Sequence, residues 1–132
     1  MEKSQFKDSF THLGNSIDRL GELLNDKNTK PNVLIDATVH RFEFVMELFW
    51  KTLKKILSYE KAEVSSPREA LAKSYQFELI DDEKYWLDML NDRNTTSHVY
   101  NEKAAKEIFE RIKLYFPVIE ATYNKLKKKY EL

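Results

Sequence analysis

Two glycines and three prolines are all that punctuate the 132 residues of this chain. Sandwiches and barrels of β-strands need frequent tight turns, and glycine and proline supply most of the backbone angles those turns use. So meagre a supply predicts an all-α fold. The apolar residues agree: Phe6, Phe10, Leu13, Ile17, Leu20 and Leu24 step by 4-3-4-3-4, one stripe on a helix of roughly residues 4–26. The polar run from Asn25 to Lys30, closed by Pro31, reads as a loop. Ile35, Val39, Phe42, Met46, Phe49, Leu53 and Ile56 repeat the same step. Phe44, Val45, Leu48 and Trp50 add apolar area off that stripe, which suits a helix central to a bundle or shared between a core and a subunit interface.

Local signals place the remaining helices. Ser66 can cap a third helix, with Pro67 in its first position and Glu69 placed to complete a capping box. Asp81 or Asp82 caps a fourth, which carries Trp86, Leu87 and Leu90, and Asn101 caps a long fifth. Pro117 falls inside that fifth helix and predicts a kink rather than an end, because it offers no N–H to the carbonyl of Lys113. Phe109, Phe116, Tyr123 and Tyr130 line one side of the same helix as core or dimer contacts, and Lys125, Lys127, Lys128 and Lys129 suit its C-terminal dipole. The expectation is one domain over residues 1–132, an up-and-down bundle of about five helices.

Composition narrows the function classes. Lys+Arg and Asp+Glu are equal at 22 each, so any hold on nucleic acid must come from a local patch. With 42% hydrophobic residues the chain can build a core, which excludes a disordered charged tail. The absence of cysteine removes disulfides and thiolate chemistry and fits a reducing cytoplasm, the expected location. The start from Met1 to Phe10 is polar and no apolar run approaches the ~18 residues of a membrane span, so no membrane partner is expected. His12, His40 and His98 lack the spacing of a metal-binding helix, and no glycine-rich phosphate loop occurs; neither a metal nor a cofactor is expected.

One segment is unusual for a bundle helix: Asp92-Arg93-Asn94-Thr95-Thr96-Ser97-His98-Val99-Tyr100. Short polar and β-branched side chains form helix poorly, so the run gives up local stability for polar groups. Asn94 and His98 are four apart, and the amide could orient the imidazole. Arg93 and His98 are five apart, about 140° around a regular helix, and converge only if the helix ends between them or a second copy faces the first. Arginine with histidine suits phosphodiester cleavage: an imidazole takes the proton of a ribose 2′-hydroxyl while a guanidinium stabilises the phosphorane. A hydrogen-bonded helix end is the plainer alternative. On the second helix, His40, Glu43 and Glu47 form either a polar stripe facing Arg93 or, with Lys51, simple surface pairs. Arg41, Lys51 and Lys54 with Arg93 could make a basic rim for RNA phosphates.

The stretches Asp36–Phe44 and Glu47–Lys54, together with Ser66-Pro67-Arg68-Glu69 and Trp86–Tyr100, resemble the nucleotidyltransferase substrate-binding protein family, part of the HEPN superfamily of small helical bundles. The resemblance covers nearly the whole chain in matching order. It implies a homodimer whose Arg-x4-6-His motifs meet at a cleft, and a metal-independent endoribonuclease acting as a toxin on tRNA or mRNA. It further implies a partner, a separate minimal nucleotidyltransferase that silences the toxin by transferring AMP to the tyrosine of an Arg-x4-His-x-Tyr motif. Arg93, His98 and Tyr100 fit that motif, with Asn94 as its polar residue. The family's name implies another role, a non-catalytic subunit that presents a substrate to the transferase.

Overall fold

The computed structural model describes residues 3–96 and 101–132. Five helices follow one another: α1 (Ser4–Leu24), α2 (Pro31–Tyr59), α3 (Pro67–Gln76), α4 (Glu83–Thr96) and α5 (Glu102–Lys129). The first stripe buries Phe6, Phe10, Leu13, Ile17 and Leu20; the second buries Val39, Phe42, Met46, Phe49, Leu53 and Ile56. Helix α2 packs against all four others, which is why its apolar residues spread beyond one stripe. Phe44 stays half exposed, as does Val33 in the first turn.

The caps form from the expected residues, with one difference. Ser66 Oγ accepts from the Glu69 N–H at 3.2 Å, Asp82 accepts from the Tyr85 N–H at 3.1 Å, and Asn101 accepts from the Ala104 N–H at 2.7 Å. The Glu69 carboxylate, however, reaches past the cap to the backbone N–H and hydroxyl of Ser65. Helix α1 ends at Leu24, short of residue 26, because Asn25 donates from Nδ2 to the Gly21 carbonyl and Asp26 turns to accept from the N–H groups of Asn28 and Thr29.

Helix α5 runs through Pro117 as a single helix. Beside the break in its ladder, Tyr85 Oη donates to the Leu114 carbonyl at 3.1 Å. The aromatic row of α5 faces the other helices. Tyr123 stacks on Phe10 at 4.2 Å, and Tyr130 meets Phe6 edge to face at 5.4 Å. The two glycines serve this contact: a Cβ on Gly14 would sit 2.8 Å from Tyr123 Cζ, and one on Gly21 would sit 2.9 Å from Phe116 Cζ. Of the terminal lysines, Lys125 pairs with Asp81 at 2.6 Å. No helix among the described residues is long and apolar enough to cross a membrane.

Candidate functional site

Three consecutive residues near the end of α4 each reach a different helix. Consecutive helical positions point about 100° apart, so such a run can meet neighbours on three sides. Asn91 Oδ1 accepts from Arg68 Nη2 of α3 at 3.1 Å. Asp92 receives Arg111 of α5 through two bonds, 2.8 Å from Nε and 2.9 Å from Nη2, and the Tyr115 hydroxyl at 2.6 Å. Arg93 Nη2 donates to Glu47 Oε2 of α2 at 3.0 Å. The hydroxyls of Thr95 and Thr96 fold back onto the carbonyls of Asn91 and Arg93 at 2.9 and 2.7 Å. Those bonds explain what the threonines do here: side chains that compete with helical hydrogen bonding satisfy carbonyls at the end of the helix.

Glu47 organises the α2 side. Its Oε2 accepts from Trp50 Nε1 at 3.1 Å as well as from Arg93, and its Oε1 pairs with Lys51 at 3.2 Å. Burial alone would raise the pKa of this carboxyl, yet the hydrogen bonds from Trp50 and Lys51 and the charges of Lys51 and Arg93 outweigh it and hold the pKa below its ordinary value. The Arg93 side chain is 29% exposed. Its Nη1 donates to Asn94 Oδ1 at 3.3 Å, while Nε is buried with no hydrogen-bond partner among the described residues. The guanidinium is thus anchored by carboxylate and amide, with part of the side chain exposed.

The other expected residues are placed as follows. Glu43 is half-buried one turn before Glu47, and His40 is exposed, its ring edge to face with Phe44 at 5.4 Å between ring centres. Lys54 is exposed one turn beyond Lys51. Arg41 lies elsewhere, over the Phe44 ring at 5.4 Å and in a hollow with Arg19, Glu22 and Asp26 of the α1 side. The residues expected at 98 and 100, His98 and Tyr100, lie outside the described residues.

Sequence reasoning missed the Asp92–Arg111–Tyr115 brace and the bond from Trp50 to Glu47. The four-residue spacing of Arg111 and Tyr115, which puts both on one face of α5, was the available signal for the first. Tyr115 is buried beside the Asp92 carboxylate, and both circumstances push its pKa well above the ordinary value for a phenol, so it remains a donor.

Comparison with known proteins agrees with this architecture. A family model described as "nucleotidyltransferase substrate binding protein like" matches residues 8–128. A protein of Haemophilus influenzae named "probable ribonuclease HepT" is 29% identical over 86 residues, covering 61% of this chain and 59% of the relative. The chain therefore matches about three fifths of that relative's length. A crystal structure of a Thermus thermophilus protein superposes with a TM-score of 0.79 and 32% identity, covering 87% of this chain and 98% of the other. With a fold shared at that level and a family model spanning α1 to α5, this chain belongs to the nucleotidyltransferase substrate-binding protein family.

Proposed function

We propose that this chain is a HEPN-type partner of a separate minimal nucleotidyltransferase and the toxin of a toxin–antitoxin pair, acting as a metal-independent endoribonuclease. The family description supports the transferase partner, and the name of the Haemophilus relative supports the ribonuclease activity. The observation that carries the reading is Arg93: Glu47 fixes its guanidinium at the polar end of α4, and the sequence runs on from it to His98 and Tyr100.

In this reading two copies of the chain face each other, so that Arg93 of one copy and His98 of the other meet across the axis. Arg93 holds the scissile phosphate and stabilises the charge of the phosphorane. His98, oriented by Asn94, takes the proton of the ribose 2′-hydroxyl while the 2′-oxygen attacks phosphorus. The bond from phosphorus to the 5′-oxygen breaks, and His98 of the second copy delivers a proton to that oxygen. The products are a 2′,3′-cyclic phosphate and a 5′-hydroxyl. Lys51 and Lys54 supply positive charge beside the site. Silencing follows when the Tyr100 phenol attacks the α-phosphorus of ATP held by the partner, gaining AMP and releasing pyrophosphate.

Incubating the purified chain with tRNA and mRNA in the presence of a chelator tests the activity. Cleavage to cyclic phosphate ends, lost in His98→Ala, is expected; intact RNA in the wild-type sample overturns it. Adding the partner nucleotidyltransferase with ATP should place AMP on Tyr100 and stop cleavage. The family's description favours a second reading, a non-catalytic subunit that presents a substrate to the transferase. That reading gains if no RNA is cut and the transferase modifies a third molecule only when this chain is present.

A further inference from the structure

Lys51, which closes on Glu47, also borders a groove of about 530 Å³ that runs along α2 toward Ser9 of α1. That volume lies within the ~300–1,000 Å³ of small-molecule clefts. Leu48 and Trp50, both half-buried, give it an apolar wall, and Lys51, Lys54 and Lys55 give it three cations. Lys55 is held by Ser9 Oγ at 2.5 Å. Lys54 is exposed and has no hydrogen-bond or ion-pair partner among the described residues. At the far end Glu63, which accepts from Ser58 Oγ at 2.9 Å, places a negative charge.

The groove is joined to Arg93 through a single atom. Glu47 Oε2 accepts both from Trp50 Nε1 and from Arg93 Nη2, so the indole edge and the guanidinium stand within two hydrogen-bond lengths of each other. An aromatic wall, an unpartnered cation and a fixed phosphate donor, gathered along one surface, complement a base joined to two phosphates. They also answer the overall neutrality of the chain, because the positive charge is gathered where a strand would pass.

We infer that this groove binds the nucleotide of a single-stranded RNA that adjoins the phosphate held at Arg93, with its base against Leu48 and Trp50 and its phosphate on Lys54. The inference rests on the ribonuclease reading for the identity of the strand. Because every base has a stacking face, the groove favours length over sequence. The carboxylate of Glu63 ends the favourable run.

The test is binding of fluorescein-labelled 2′-O-methyl oligoribonucleotides, a dinucleotide and a hexanucleotide, to the full chain. Methylation blocks the attacking oxygen, so binding is read without cleavage. The hexanucleotide should bind more tightly than the dinucleotide. Lys54→Glu should raise its Kd about tenfold and lower the slope of log Kd against log salt by about 0.7, the contribution of one phosphate contact on a single strand. Trp50→Leu should also cost about tenfold, and Trp50→Phe, which keeps a ring but not the N–H, should recover most of it. Unchanged hexanucleotide binding in both Lys54→Glu and Trp50→Leu overturns the inference. Intact RNA binding with loss of the complex with the transferase in the same variants also overturns it, the groove then being a protein dock. Groove-dependent binding without cleavage of ordinary RNA supports the groove and removes the nuclease.

Discussion

Glu47 and Arg93 stand 46 residues apart in the chain and 3.0 Å apart in space, and the same carboxylate oxygen holds Trp50. The pKa of this carboxyl lies below its ordinary value of 4.5 in the folded chain, so near and below that pH the unfolded chain binds more protons. The stability supplied by ionised Glu47 is therefore fully present above about pH 4.5 and is lost as pH falls through the lower folded pKa. Glu47→Gln should lower stability at pH 7 by about 1–2 kcal/mol, the range of a hydrogen bond to a charged group that is partly solvated. Denaturant midpoints of the two proteins should converge as the pH falls from about 4.5 through the lower folded pKa of Glu47.

Asp92 joins α4 to α5 next to the arginine, and its side chain is only 15% exposed. Asp92→Ala leaves Arg111 and the buried Tyr115 hydroxyl without their acceptor and should cost about 2–3 kcal/mol. Tyr115→Phe removes one bond and should cost about 1 kcal/mol. In a double-mutant cycle the two losses should fall short of additive by about 0.5 kcal/mol or more. Alkaline pH reads the same network. Burial and Asp92 keep the Tyr115 phenol protonated in the folded chain, so its contribution is present below about pH 10 and declines as pH rises toward the raised folded value. Tyr115→Phe should flatten that alkaline decline.

Gly14 and Gly21 sit one above the other on α1, under Tyr123 and Phe116 of α5. Alanine in an exposed helix would gain about 1 kcal/mol over glycine. At Gly14 the added methyl must displace a ring stacked on Phe10, whose hydroxyl also donates to the Phe10 carbonyl at 3.3 Å. Overpacking of this kind costs about 1–3 kcal/mol, so Gly14→Ala should lower the melting temperature despite its better propensity. Adding Tyr123→Leu should remove most of the penalty.

The helices were readable because their causes are local. The 4-3 step marks the buried faces of α1 and α2, and Ser66, Asp82 and Asn101 lie where a short polar side chain meets a free N–H. The site is a different matter. Whether Glu43 or Glu47 meets Arg93 depends on how α2 and α4 are rotated against each other, and no pattern within either helix fixes that. Arg41 shows the same limit. It is six residues from Glu47, about 240° around α2, and so faces Phe44 and the α1 side while Lys51, four residues on, joins the carboxylate. Trp50 adds apolar area that packs against the core, and the same packing turns its N–H to Glu47, which no pattern along α2 foretells.

Arg93→Lys separates a structural arginine from a catalytic one. The guanidinium donates to Glu47 and Asn94 from two different nitrogens of one rigid plane, whereas an ammonium is one compact charge on a flexible stem. A lysine can still reach a carboxylate, so the melting temperature should fall by only a few degrees, in keeping with about 1 kcal/mol at a partly exposed pair. In the proposed reaction it cannot span Glu47 and Asn94 as the planar guanidinium does and still meet the charge of the phosphorane. Loss of one preorganised donor to a developing charge costs about 10²–10³ in rate. Cleavage of a short RNA, followed by single-turnover kinetics, should therefore slow by at least about a hundredfold while binding weakens by much less. Rates that fall only in step with binding would place Arg93 among the groups that hold α4 to α2, with no part in the chemical step.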